Sequence, residues 1–167
     1  MLYFRQATIE DLPSILQMYK KRVAYNDAHD MHQWSYEEVT WRAFSQLYKI
    51  EDYQVGILDG VIVCGMFVVD VDTIYWPQEP KGVALYIHKV CVDPDYKGLG
   101  FGKLLLDRFK ELGKQYPVSS VRLDVKKHKD KLQKFYEENG FVFVREGQFV
   151  PDTKTYLYEY KLENRCE

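Results

Sequence analysis

A glycine-rich turn between a predicted strand and a predicted helix is the first feature of this sequence that could bind a ligand. Alternate glycines stand within Gly98–Lys103, and the preceding run Val83–Val92 is rich in the β-branched and aromatic residues typical of strands. Asp93 and Pro94 end that strand. Apolar residues follow the glycines at helical spacing, namely Leu104, Leu105, Phe109 and Leu112. We therefore predict that Gly98–Lys103 form the mouth of a helix, where unpaired N–H groups and missing Cβ atoms let a phosphate approach closely.

A second group of residue types that could do chemistry lies in the segment Asn26–Ser35, which contains Asp27, His29, Asp30 and His32. Imidazole and carboxylate groups are ligands of zinc and iron. However, alternate residues in an irregular loop define no coordination geometry, and no second cluster completes a site. We predict a solvated polar loop here and no bound metal.

The length and composition bound the class of protein. With 167 residues and 46% hydrophobic content, the chain can bury one core, and we predict a single domain over residues 1–167. A net charge of −2 argues against a nucleic-acid partner. No apolar run approaches the roughly twenty residues of a membrane helix, and the start of the chain is not signal-like. Because Cys64, Cys91 and Cys166 have no CxxC spacing, we expect a reduced, cytoplasmic protein with no membrane partner.

The pattern of apolar residues predicts strands that alternate with helices. The predicted strands are Leu2–Ala7, Tyr53–Leu58, Val61–Val71, Val83–Val92, Ser120–Val125, Phe141–Val144 and Thr155–Leu162. Helices are predicted from a Thr8–Asp11 capping box through Val23, over Tyr36–Leu47, after the glycines, and over Asp130–Asn139. Asp59-Gly60 predicts a tight hairpin, and Gly140 stands where a helix needs a left-handed stop. The order predicts an α/β fold in which a mixed central sheet carries helices on both faces.

The stretch around the glycines resembles a known family. Strand, acidic-Pro turn, basic residue, x-x-Gly-x-Gly and helix is similar to the acetyl-coenzyme A (acetyl-CoA) site of the GCN5-related N-acetyltransferases, with Lys97 in place of the usual arginine or glutamine. A second block, Lys131–Phe141, resembles the family's helix that carries a tyrosine and ends in Gly-Phe. The two blocks stand in the family's order, and the likeness covers nearly the whole chain. It implies the family's acyl-CoA N-acyltransferase fold, in which the central sheet is mostly antiparallel.

The resemblance also implies where acetyl-CoA binds. The family's pantetheine arm slips between two splayed strands, which implies pairing with the backbone of Val90 and Val92 here, while Gly98–Lys103 bind the pyrophosphate. Lys97 would add charge near the phosphates, and Lys129 stands where the family often has a cofactor-binding asparagine. The implied cofactor-binding residues are Val90, Cys91, Val92, Lys97, Gly98, Leu99, Gly100, Phe101, Gly102, Lys103, Lys129 and Tyr136.

The implied reaction is the transfer of an acetyl group from acetyl-CoA to a primary amine by direct attack in a ternary complex. Tyr136 stands where the family's tyrosine protonates the coenzyme A thiolate, and backbone N–H groups near Val90 would polarise the thioester carbonyl. His88 is the candidate base because imidazole titrates in the useful range, although a buried histidine satisfied by a neighbour is an equal alternative. Strand alternation places Cys91 on the opposite face from Val90, so a thiolate mechanism is not predicted.

The acceptor pocket is the least defined part of the predicted site. In the family, the loop between the first two helices overhangs that pocket, which makes His32, Gln33 and Trp34 substrate-facing candidates. The broken stretch Asp72–Pro80 adds Tyr75 and Trp76, which either cap the pocket or cover the edge of the core. Acidic residues fall in or beside these loops and suit a small cationic amine, namely Asp27, Asp30, Asp70, Asp72 and Glu79. A homodimer is also open, because Tyr156, Tyr158 and Tyr160 could pair edges.

Two alternatives from other classes remain. One is a non-enzymatic acetyl-CoA sensor on the same fold, which would not need Tyr136 as a proton donor. The other is a Rossmann-type nucleotide binder, since Asp124 follows the glycines by roughly twenty residues. Lys103 stands where that motif wants its third glycine, and Leu104 stands where a phosphate-binding loop of the Walker type needs Ser or Thr.

Overall fold

A seven-stranded sheet forms the centre of the computed structural model, which describes residues 1–163. The strands are β1 (Tyr3–Gln6), β2 (Tyr53–Leu58), β3 (Val61–Val69), β4 (Ala84–Val92), β5 (Ser120–Lys126), β6 (Val142–Val150) and β7 (Thr153–Lys161). Their order in the sheet is β1-β2-β3-β4-β5-β7-β6. The β4–β5 pair is parallel, whereas β1–β2, β2–β3, β5–β7 and β6–β7 are antiparallel. The mixed, mostly antiparallel sheet is therefore confirmed, and a doubly wound Rossmann sheet, which is mostly parallel, is excluded.

The α-helices among the described residues are α1 (Leu12–Ala28), α2 (Trp41–Phe44), α3 (Phe101–Gln115) and α4 (Asp130–Glu138). The predicted capping box is present, since the Asp11 carboxylate accepts the Thr8 N–H at 2.8 Å and pairs with Arg5 at 2.7 Å. It opens a 3₁₀ turn, Ile9–Asp11, and α1 begins directly after that turn. The predicted helix over Tyr36–Leu47 is wrong in extent, because only the four residues of α2 are helical. Asp59 and Gly60 both have positive φ, as the tight hairpin requires, and Gly140 has φ +88°.

Contacts divide the chain into two compact units, and the boundaries between the units fall within β3, β4 and α3. The first comprises Met1–Phe67 and Lys89–Leu105. Its core joins the buried face of α1 to β2, with Ile15, Met18, Tyr19, Val23, Tyr53, Val55, Ile57 and Phe67 among the buried residues. The alternation of buried side chains at i, i+3 and i+4 explains why α1 lies against the sheet. That the whole chain forms a single domain stays a prediction.

The second unit comprises Val68–His88 and the chain from Leu106 onward. Its core includes Trp76, Ala84, Tyr86 and Leu157. Gly113 allows α3 to approach β5, since a Cβ at this position would lie 2.6 Å from Val121. Cys166 lies outside the described residues.

The edge of the sheet differs from the prediction. Strand β7 lies between β5 and β6, so Tyr156, Tyr158 and Tyr160 stand on a paired strand and cannot join two copies by their backbone edges. The reason is that β6 extends to Val150, well beyond the predicted Phe141–Val144, and covers β7. None of the helices in residues 1–163 is both long and apolar enough to cross a membrane.

Candidate active site

The glycine-rich turn leads into α3 as predicted. Gly98 and Gly100 have φ +78° and +81°, a left-handed conformation that glycine adopts without steric cost. A Cβ built on either residue would meet no described atom within 4 Å. The helix begins at Phe101. At the start of any α-helix, the N–H groups of the first turn have no carbonyl acceptor within the helix. The turn therefore offers open space beside a helix N-terminus, the geometry that suits a phosphate.

Helix α1 fixes the chain that leads into this turn. Lys21 Nζ lies 2.8 Å from an Asp93 carboxylate oxygen and 2.6 Å from one of Asp95. Arg22 Nε donates to the Val92 carbonyl at 3.0 Å. Because the Asp93 carboxylate in the first of these pairs is buried, that contact and the Arg22 hydrogen bond give the end of β4 a defined position against α1.

The backbone of β4 is interrupted near its middle. Lys89 has φ +55°, in the left-handed region that residues other than glycine seldom adopt. As predicted from strand alternation, Cys91 is buried whereas Val90 and Val92 are partly exposed. Burial raises the pKa of the Cys91 thiol to about 12, so this cysteine is a neutral core residue near neutral pH.

A buried cluster of charged side chains lies in the second unit. His88 on β4 presents Nε2 to an Asp72 oxygen at 3.0 Å and Nδ1 to an Asp124 oxygen at 3.3 Å. The register explains the second contact: Tyr86 pairs with Arg122, so His88 stands opposite Asp124 two residues along these parallel strands. Asp72 is held by its own turn, in which its Oδ1 accepts the N–H groups of Ile74 and Tyr75 at 3.0 and 2.9 Å.

Both ring nitrogens of His88 face carboxylate oxygens, which is the arrangement of a protonated imidazole. Burial alone would lower the pKa of His88, but hydrogen bonding and charge from Asp124 and Asp72 outweigh it and raise that pKa to about 9. For the carboxyl of Asp72, burial acts to raise the pKa. The contacts of Asp72 with His88 and with two backbone N–H groups outweigh burial, so the pKa of Asp72 is lowered. Asp72 Oδ2 makes an ion-pair contact with the ring and lacks a well-aligned hydrogen bond. The cluster is thus an imidazolium between two carboxylates, with a net charge of −1.

Metal binding is the other chemistry open to this cluster. One ligand atom from each of Asp72, His88 and Asp124 lies within 4.8 Å of the others. A metal would have to replace the protons on an imidazole that two carboxylates stabilise as a cation. The geometry therefore favours an ion-pair network.

Asp124 is the outward-facing member of the cluster. Its side chain is 20% exposed, against 3% for Asp72 and 12% for His88. Burial and the charge of Asp124 both raise the pKa of Tyr136 on α4, and the same two causes lead for Tyr75. The Tyr75 ring stacks on the His88 ring with centroids 6.2 Å apart. A carboxylate with an accessible edge, next to two protonated phenols, is suited to bind an ammonium group.

Comparison with known proteins decides the family. A sequence model described as the acetyltransferase (GNAT) family matches residues 16–141, about three quarters of the chain. The chain belongs to the GNAT family. A search of curated proteins found no match.

Solved structures agree with this assignment at the level of the fold. A GNAT acetyltransferase from Listeria monocytogenes is 19% identical with a TM-score of 0.79, and the match covers 96% of this chain and 95% of that one. The ribosomal-protein-S18-alanine N-acetyltransferase of Escherichia coli is 16% identical with a TM-score of 0.72, covering 100% and 97%. N-acetylglutamate synthase from Neisseria gonorrhoeae, solved with coenzyme A and N-acetyl-glutamate, is 13% identical with a TM-score of 0.68, covering 98% and 36%. The GNAT family uses acetyl-CoA as its acyl donor.

Two residues that the GNAT resemblance assigned to the cofactor make contacts of their own. Lys97 Nζ lies 2.9 Å from the Tyr25 hydroxyl and above its ring, so α1 holds this side chain. Lys129 precedes α4, where burial and the charge of Lys126 lower its pKa. Phe101 is buried beside Tyr96, whereas Leu99 is exposed. Binding of acetyl-CoA by these residues stays a prediction.

The aromatic residues predicted to face the acceptor divide into two groups. Trp76 is only 2% exposed and packs on Tyr86 in the core, which is the second of the two alternatives predicted for this residue. Trp34, at 7% exposed, packs on Tyr19, because the segment before α2 folds back over α1. Both indoles supply apolar area that the small cores need. Tyr75 is partly exposed, and exposed His32 pairs with Asp27 at 2.8 Å.

Asp124 is the site residue that sequence reasoning missed. The sequence placed it only within a dinucleotide-binding alternative. The signal that could have found it is the alternation of Arg122 and Asp124 on β5 against Tyr86 and His88 on β4. Arg122 donates to the Tyr86 hydroxyl at 3.0 Å, and the next pair of the same face is His88 with Asp124. Only the strand register, which the sequence does not state, reveals the second pair.

The protonation of His88 leads to a pH prediction. We expect its ring to titrate near pH 9 in the folded protein, well above its ordinary value of 6.5. Since the folded pKa is the higher one, the ion pairs contribute stability that is fully present below about pH 6.5 and lost as the pH rises through 9. Histidine NMR titration measures the midpoint, with the His88→Gln variant as the assignment control. A midpoint at or below 6.5 would show a neutral imidazole and would restore His88 as the candidate base.

Proposed function

We propose that this GNAT protein transfers the acetyl group of acetyl-CoA to the primary amine of a small cationic acceptor, by direct attack in a ternary complex. The observation that carries the proposal is the partly exposed Asp124 carboxylate, which lies 3.3 Å from the His88 ring. Burial and the charge of Asp124 raise the pKa of both Tyr136 and Tyr75, so these phenols stay protonated. Because the Asp72–His88–Asp124 cluster has a net charge of −1, it favours a positively charged acceptor over a neutral or acidic one.

The donor side of the reaction would use the glycine-rich turn, two lysines and the backbone of β4. Gly98–Lys103 would bind the pyrophosphate of acetyl-CoA at the N-terminus of α3, where backbone N–H groups and the helix dipole favour negative charge. Lys97 and Lys129 would add positive charge near the phosphates. The backbone of Val90 and Val92 would pair with the pantetheine arm.

The chemical step forms a C–N bond and breaks a C–S bond. The acceptor, once it has lost a proton from its ammonium group, attacks the thioester carbon, and the developing oxyanion accepts the Val90 N–H. The departing thiolate takes a proton from Tyr136, whose raised pKa keeps the phenol protonated near neutral pH. The nitrogen that has formed the new C–N bond then loses its extra proton to give the neutral amide, and this proton returns to the Tyr136 tyrosinate, directly or through water. His88 is already protonated and holds Asp124 in place. The proton of the ammonium group passes to the Asp124 carboxylate or to water.

The state of the two cysteines within residues 1–163 supports direct attack. An acyl-enzyme route would need a thiolate, yet burial raises the pKa of Cys91 to about 12 and that of Cys64 likewise. Neither thiol is ionised to a useful extent near neutral pH.

The acceptor class can be tested with a panel of amines and one variant. We expect turnover with a cationic amine such as spermidine, cadaverine or tyramine. Asp124→Asn should raise the KM for that amine about tenfold or more while the Kd for acetyl-CoA stays within twofold, because the amide keeps the shape and loses the charge. Asp59→Asn is the matched control, since Asp59 is exposed in the turn between β2 and β3 and asparagine tolerates its left-handed backbone.

Two results would contradict the acceptor assignment. One is turnover confined to a protein amino terminus or to a lysine within a protein. The other is an equal effect of Asp124→Asn and Asp59→Asn on the KM of the amine.

A further inference from the structure

Two buried tyrosine hydroxyls contact the backbone of β4 at the point where the strand is interrupted. Tyr19 on α1 donates its hydroxyl hydrogen to the Lys89 carbonyl, and Tyr53 on β2 donates to the Tyr19 hydroxyl at 3.1 Å. Both side chains are fully buried. Burying a hydroxyl without a partner is costly, so this chain of hydrogen bonds has a defined direction that ends on the Lys89 carbonyl.

That carbonyl belongs to the residue with the left-handed backbone. A conformation of this kind persists only where the surrounding structure holds it. The Lys89 carbonyl and the Val90 N–H share one trans peptide plane and point in opposite directions. Because the carbonyl points to Tyr19, the Val90 N–H points away from Tyr19 and its core.

The tyrosine rings are themselves held firmly. Tyr19 contacts the rings of Trp34 and Phe44 at centroid distances of 5.4 and 5.2 Å. The Tyr53 ring lies so close to Gly65 that a Cβ there would stand 2.3 Å from it. Burial raises the pKa of both phenols well above the ordinary value, so each keeps its hydrogen over the working pH range.

Helix α1 continues these contacts one turn later. Tyr19 and Arg22 lie three residues apart on one helix face, and Arg22 donates to the Val92 carbonyl. Tyr19 therefore holds the peptide group between Lys89 and Val90, and Arg22 holds the carbonyl of Val92. One rigid helix sets both ends of this short segment of backbone.

We propose that Tyr19 is a positioning residue for acetyl transfer: by holding the Lys89 carbonyl, its hydroxyl directs the Val90 N–H toward the thioester carbonyl. This inference rests on the proposed function. Tyr53 satisfies the Tyr19 hydroxyl and makes no contact with the Lys89 carbonyl, so its own hydroxyl affects stability more than rate.

The test compares three variants in the full-length protein, with acetyl-CoA and the amine that the panel identifies. Tyr19→Phe should lower kcat about tenfold with the acetyl-CoA KM within twofold, because a misdirected donor weakens oxyanion stabilisation more than binding. Tyr53→Phe is the matched control, which also removes one buried hydroxyl, and its kcat should stay within threefold of wild type. The double variant leaves no orphaned hydroxyl. Its melting temperature should therefore be at least that of Tyr19→Phe, while its kcat stays as low.

The chemical shift of the Val90 amide provides a readout that does not depend on turnover. Tyr19→Phe should move this ¹⁵N–¹H resonance and reduce its further shift when acetyl-CoA is added, and Tyr53→Phe should do so less. Equal losses of kcat in the two single variants, recovery of kcat together with stability in the double variant, or an unmoved Val90 resonance would each overturn the inference. A wild-type protein that neither binds acetyl-CoA nor turns over would instead overturn the proposed function, and the positioning role with it.

Discussion

Tyr136→Phe is expected to lower turnover by about 10²-fold or more with little change in the affinity for acetyl-CoA. The phenol is buried, and burial together with the Asp124 charge raises its pKa, so it keeps its proton near neutral pH, as the proposed donor role requires. Phenylalanine keeps the ring contacts with Phe141 and Phe135 and removes only the hydroxyl. The loss should therefore appear in kcat.

The measurement is the rate of coenzyme A release under saturating substrates, accompanied by a titration with acetyl-CoA. Tyr116→Phe is the matched control, because Tyr116 is an exposed tyrosine outside the proposed site. Unchanged turnover in Tyr136→Phe would remove the proton-donor role. Tight acetyl-CoA binding without any turnover in wild type would favour a sensor on the same fold.

Gly100→Glu is expected to abolish measurable acetyl-CoA binding. Gly100 has φ +81° and open space where its Cβ would stand, so the new side chain enters the space assigned to the phosphates. A carboxylate there repels the pyrophosphate and occupies the helix N-terminus in its place. The loss should appear directly as an absent binding signal in calorimetry.

A matched control separates the effect of a charge in the Gly98–Lys103 turn from the effect of backbone strain. Gly82 has φ +88° and equally open space, but it lies in the loop before β4. Gly82→Glu introduces the same residue in a similar conformation, and its acetyl-CoA affinity should stay within threefold of wild type. Retained binding in Gly100→Glu would mean that the phosphates bind elsewhere.

The features that the sequence predicted well are those that depend on local chemistry. The Gly98–Lys103 turn, the Asp59-Gly60 hairpin and the stop at Gly140 each need a backbone conformation that few residues adopt, so the residue type reveals the structure. Strand β4 was predicted within one residue because β-branched and aromatic residues fill it. The alternation of that strand also placed Cys91 in the core.

The features that the sequence did not predict depend on neighbours distant in the chain. His88 has an ordinary pKa in isolation, and only the β4–β5 register and the Asp72 turn surround it with two carboxylates. Trp76 lies in a stretch with two prolines, from which the sequence left both a pocket cap and the edge of the core open, and the Asp72 turn directs its ring into the core. The left-handed backbone at Lys89 could not be predicted, because the residue is not a glycine. A tertiary contact with Tyr19 holds this conformation instead.

The central claim is that the Gly98–Lys103 turn binds the phosphates of acetyl-CoA. Calorimetric titration of the purified protein with acetyl-CoA tests this claim most directly. NAD and ATP serve as parallel ligands, since both carry phosphates that a helix N-terminus could attract. We expect saturable binding of acetyl-CoA alone, with no measurable heat from the other two. If NAD or ATP bound and acetyl-CoA did not, the result would contradict the role assigned to the Gly98–Lys103 turn and, with it, the proposed reaction.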